Sequence, residues 1–87
     1  MENCLFCKIA EGTLQANVVY SDETLMAFKD IHPQAPVHIL IIPKQHVDNL
    51  SSIPKEMSSI ISRIPEVASQ LAKEFRVDKS GFRLLTN

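Results

Sequence analysis

All three histidines of the sequence, His32, His38 and His46, fall in one run, HPQAPVHILIIPKQH, and both cysteines sit near the start as Cys4-Leu5-Phe6-Cys7. Imidazole and thiol are the side chains that ligate zinc, move protons or attack electrophiles near neutral pH. A Cys-x-x-Cys spacing belongs to zinc knuckles and redox dithiols more than to structural disulfides. Joined by His46, which follows Pro43 at the end of an apolar run, Cys4 and Cys7 would supply three ligands, one short of a closed tetrahedral zinc site. The same residues fit a plainer pattern, two small half-buried hydrophobes and a solvated imidazole. A redox dithiol is a third reading, but that motif normally opens a helix behind a buried strand, and only three residues precede Cys4. His38 alternates with Val37 and Ile39, which fits a neutral imidazole satisfied by a backbone partner. His32 reads as polar surface in a proline loop. Asp30, at the exit of an apolar stretch, either solvates a loop or accepts hydrogen bonds from a pair of sugar hydroxyls. The sequence contains no glycine-rich phosphate loop, no Gly-x-Ser-x-Gly elbow and no helical His-Glu pair.

The elements that must position these groups are legible from hydrophobic period and turn chemistry. Leu5, Phe6, Ile9 and Ala10 recur at helical spacing before Gly12, predicting a short N-terminal helix whose first turn the cysteines straddle. Residues 17–20 and 24–29 are β-prone runs around Ser-Asp-Glu and predict a hairpin, with Asp30 at the exit of its second strand. Pro33 and Pro36 hold the next loop extended, and residues 37–42, closed by Pro43, predict a third strand buried on both faces. Ser51 and Ser52 are placed to cap a long helix. Its stripe is Met57, Ile60, Ile61, Ile64, Val67, Ala68, Leu71, Ala72 and Phe75, in phase through a kink at Pro65. A turn at 78–81 and a fourth strand at 82–86 follow. The expected architecture is α+β: a mostly antiparallel sheet of about four strands, a short N-terminal helix and one long kinked helix. A hairpin partner for the last strand is missing from the sequence, which predicts a single domain over residues 1–87 that is incomplete at its C-terminal side.

Composition narrows the class of function. Apolar residues make up 45% of the 87 positions and glycine only two of them, the profile of a globular domain with one modest core. Nine basic against ten acidic residues, with no basic block, argue against bulk nucleic-acid binding. The N-terminus, MENCLFCKIAEG, resembles neither a secretory signal nor a membrane span, so cytoplasmic residence without membrane association is the expectation.

Taken in order, Cys4-x-x-Cys7-Lys8-Ile9, Phe28-Lys29-Asp30-Ile31, the stretch from Gln34 to His46, and Gly81-Phe82-Arg83-Leu84-Leu85-Thr86-Asn87 resemble the histidine-triad (HIT) family of nucleotide hydrolases and transferases. The resemblance is to the phosphoramidase branch, spans nearly the whole chain and is most specific from Pro36 to His46. It implies a sheet whose fifth strand, after the one ending at Asn87, carries a His-x-His-x-His run. The middle histidine of that run attacks the α-phosphorus of a purine nucleoside phosphoramidate or related nucleotide. The nucleotidyl-histidine so formed is hydrolysed by water, one hard displacement becoming two easier ones. No such run occurs in this sequence, so the resemblance implies a chain that binds but is inactive alone. It further implies that His38 supports the histidine run, that Phe6, Ile9, Phe28 and Ile31 line the base pocket, that Asp30 binds the ribose hydroxyls and that Asn87 faces the α-phosphate. Structural Zn²⁺ on Cys4, Cys7, His46 and one further histidine, and a homodimer, complete that picture. The alternative class is a short non-catalytic module that binds nucleotide or zinc.

Overall fold

The computed structural model describes residues 5–12, 14–47, 51 and 53–86, which divide into two compact units, residues 1–46 and 47–87. In the first unit, helix α1 spans Leu5–Glu11 and ends where predicted. Gly12 supplies the left-handed turn (φ +82°) that a residue with a Cβ adopts only at a cost, and its N–H donates to the Ile9 carbonyl at 3.1 Å. Only Ile9 of this helix is buried, at 8% exposure.

Strands β1 (Val18–Ser21), β2 (Leu25–Lys29) and β3 (Ile39–Pro43) form an antiparallel sheet in the order β1-β2-β3. The β1–β2 turn is built on Asp22. Its Oδ1 accepts the N–H groups of Thr24 and Leu25, both at 2.8 Å, and Oδ2 accepts the Tyr20 hydroxyl at 2.6 Å. An aspartate in this role replaces backbone acceptors that a tight turn cannot supply. A register shift between Val18 and Tyr20 marks a bulge in edge strand β1.

Central strand β2 carries the burial. Leu25 and Ala27 on one face are fully buried, while Met26 and Phe28 on the other pack with Ile9, Ala16, Leu40 and Ile42. The expectation of a third strand buried on both faces is corrected: every residue of β3 is half-buried, and among the described residues β3 pairs with β2 alone, as an edge strand. That strand also starts later than predicted, since Pro36 and Val37 belong to the preceding bends. Pro43 lies inside it as its last residue, a position an edge strand tolerates.

In the second unit a 3₁₀ turn, Lys55–Met57, leads into α2 (Ser58–Ile61) and α3 (Ile64–Glu74), one long helical run bent at Ser62 and Arg63. Pro65 sits in the first turn of α3, where its missing N–H costs no helical bond. Met57, Val67, Ala68, Leu71 and Ala72 are buried, so the predicted stripe stays in phase across the bend. The serine cap is corrected: the run begins behind Pro54 without a side-chain cap, and Ser52 lies outside the described residues.

The C-terminus of α3 closes as a Schellman motif, with Arg76 left-handed at φ +61°, its N–H on the Lys73 carbonyl, and the Val77 N–H on the Ala72 carbonyl. The turn at 78–80 follows. The fourth strand expected at 82–86 is not formed. A strand exists only by pairing, and none of the described residues pairs with this segment. Among the described residues no helix is long and apolar enough to cross a membrane.

Candidate functional site

Cross-strand register places the polar candidates. Met26 pairs with Ile42 and Phe28 with Leu40 across β2 and β3. One step further along the same row stand Asp30 and His38, where the Asp30 N–H donates to the His38 carbonyl at 3.0 Å. Side chains alternate faces along a strand, so this polar pair caps the row of apolar pairs that packs on Ile9.

The loop between them, containing Pro33 and Pro36, is folded back on both side chains. Asp30 Oδ1 accepts the His32 N–H at 2.9 Å, an aspartate turn of the usual kind. His38 Nδ1 accepts the Gln34 N–H at 3.0 Å, and His38 Nε2 lies 3.5 Å from Asp30 Oδ2. His32 thus enters through its backbone, with its residue exposed. Neither amide donor was visible to sequence reasoning, although Asp-x-His is a spacing at which an aspartate can accept the amide two residues on.

Of the proposed base-pocket residues, three converge. The Phe6 and Phe28 rings lie 6.1 Å apart at 40°, a tilted aromatic contact, and Ile9 packs in the same cluster as Phe28. Phe28 is core at 4% exposure, whereas Phe6 is 42% exposed. Ile31 stands apart from that cluster, 79% exposed at the start of the loop. Asn87 lies outside the described residues.

At the other end of β3, Cys7 Sγ and His46 Nδ1 approach to 3.2 Å. Zn–S and Zn–N bonds of about 2.3 and 2.0 Å at tetrahedral angles would separate the two donors by roughly 3.5 Å, so the pair fits one slightly compressed edge of a zinc site. Cys4 lies outside the described residues, among which no group of three or more candidate ligands is assembled.

Residues 3–86 match the family model described as scavenger mRNA decapping enzyme C-term binding. Protein HitA of Neisseria gonorrhoeae is 39% identical over 87 residues, covering 100% of this chain and 80% of that protein. The purine nucleoside phosphoramidase of Escherichia coli K12 is 35% identical over 86 residues, covering 99% of this chain and 72% of the enzyme. A histidine triad protein from Clostridium difficile superposes with a TM-score of 0.94 at 44% identity, over 100% of this chain and 76% of that one. On the strength of a family model matched along nearly its whole length and of relatives this similar, the chain belongs to the histidine-triad (HIT) family.

Proposed function

We propose that residues 1–87 form the base- and ribose-binding part of a purine nucleoside phosphoramidase or a related nucleotide hydrolase. The observation that carries this reading is the alignment of Phe28 and Asp30 on one face, with an accessible Phe6 ring against the first and a fixed carboxylate at the second. An aromatic face takes a purine, and a carboxylate accepts from a vicinal diol. Ile9 would back the aromatic pair from the core, Ile31 would add apolar surface from the loop, and Asn87 would face the α-phosphate. The similarity to the E. coli purine nucleoside phosphoramidase supports this choice of ligand class.

Chemistry at phosphorus is assigned to the middle histidine of a His-x-His-x-His run supported by His38. These 87 residues hold no such run, so by themselves they bind without turnover. Zinc would be held by Cys4, Cys7 and His46, where thiolate and imidazole donors tie α1 to the end of β3; its contribution is structural. The resemblance to the family also implies a homodimer, with the 82–86 segment near its two-fold axis.

Calorimetric titration with adenosine and guanosine monophosphates tests the assignment. Saturable binding that Asp30→Ala weakens tenfold or more is expected. Absence of binding, or binding indifferent to Asp30→Ala, overturns it.

A further inference from the structure

The loop from Asp30 to His38 fixes the orientation of one carboxylate. A ring nitrogen that accepts a hydrogen bond carries no proton. Because His38 Nδ1 accepts from the Gln34 amide, the neutral imidazole is the Nε2–H tautomer. His38 Nε2 lies 3.5 Å from Asp30 Oδ2, close but longer than a hydrogen bond, while Oδ1 accepts the His32 amide at 2.9 Å. A carboxylate offers about four lone-pair sites. The His32 amide takes one of them on Oδ1 and the His38 ring borders Oδ2, which leaves lone pairs on both oxygens for outside donors such as the two hydroxyls of a vicinal diol. Both side chains keep an open edge, 29% exposed for His38 and 22% for Asp30.

We propose that His38 is a positioning residue for Asp30: locked in its Nε2–H form by the Gln34 amide, it sets the rotation of the carboxylate so that the remaining lone pairs meet the two hydroxyls of a ribose. The torsion that His38 sets is otherwise broad and two-fold. This inference rests on the reading of Asp30 as the ribose acceptor. It goes beyond that reading in giving His38 a role in selecting a cis-diol sugar, separate from any support of a histidine run.

The test compares adenosine monophosphate with its 2′,3′-dideoxy counterpart on the unaltered chain and four variants. His38→Ala lowers affinity for the diol nucleotide about tenfold and leaves the dideoxy nucleotide unchanged. His38→Gln, which restores an N–H near the Nε2 position, recovers most of the loss. His38→Asn, which restores only the acceptor near Nδ1, does not. Long-range ¹H–¹⁵N spectra of the unaltered chain show His38 as the Nε2–H tautomer, a readout independent of whether any variant folds. An Nδ1–H tautomer, or a His38→Ala variant that loses both nucleotides equally or neither, overturns the inference. Asp30→Ala separates the two levels: if it leaves the diol preference intact, the ribose assignment itself fails. If it abolishes that preference while His38→Ala preserves it, only the positioning role fails.

Discussion

Cys7 Sγ lies 3.2 Å from His46 Nδ1 although 39 positions separate the two residues. Both are half-buried, so a thiol from α1 and an imidazole from the segment after β3 meet with limited access to water. Protein purified without chelator is expected to carry about one zinc per chain by elemental analysis, with Cys4 as the further thiolate. Cys7→Ser should weaken zinc by more than the roughly 10–100-fold that loss of a ligand's hydrogen-bond partner costs. A metal-free preparation that neither takes up zinc nor gains stability from it would contradict the assignment.

Asp22 pins the hairpin that delivers β2. Asp22→Ala removes the acceptor for the Tyr20 hydroxyl and for the Thr24 and Leu25 amides. It should destabilise the chain by about 1–3 kcal/mol, read as a lower urea midpoint at unchanged slope. Asp22→Asn keeps the Oδ1 that serves both amides and should recover most of that loss. Equal destabilisation by the two variants would show that charge, rather than the turn's acceptor geometry, is what matters.

The contrast between these two features shows where sequence is informative. Gly12 after a helical stripe, and an aspartate between two β-prone runs, are local signals, and α1 and the hairpin follow from them. Whether a strand is central or at an edge is not local. The Ile-rich run at 39–42 reads as buried on both faces, yet β2 takes that position because it is the strand flanked on both sides. The run at 82–86 has strand-like residues, but its state depends on a partner elsewhere. At the site, alternation along β2 and β3 already puts Asp30 and His38 on one face. The donors that hold them are the amides of His32 and Gln34, and backbone N–H groups leave no mark in residue identity. The exposure of Ile31 is equally silent in sequence, since its residue type fits a core position as well as a loop.

Arg76 provides a stability test in the second unit. It occupies the left-handed position of the Schellman motif with its residue exposed. A Cβ there is strained, whereas glycine adopts the conformation freely. Arg76→Gly should therefore stabilise the chain by about 0.5–1 kcal/mol, even after the extra freedom glycine adds to the unfolded state. Thermal or urea unfolding measures it, and a destabilised variant would mean that the arginine side chain outweighs its backbone strain.

The last expectation separates binding from turnover. Attack at phosphorus requires a nucleophile in line with the leaving group and donors for the charge that develops on the phosphoryl oxygens. His38 cannot serve as that nucleophile in this arrangement, because its Nδ1 lone pair accepts from the Gln34 amide and its Nε2 then carries the proton. Residues 1–87 alone should therefore leave an adenosine phosphoramidate intact while still binding adenosine monophosphate. Joining them to the part of the E. coli phosphoramidase that lies beyond the matched region should confer hydrolysis, since the chain covers 72% of that enzyme and the join supplies the remainder. Asp30→Ala in that fusion should raise KM more than it lowers kcat, as expected for a group that holds the ribose away from the reacting phosphorus. Phosphoramidate turnover by the 87 residues alone, above that of their Asp30→Ala variant, would place a nucleophile within them and refute the assignment of chemistry to the histidine run.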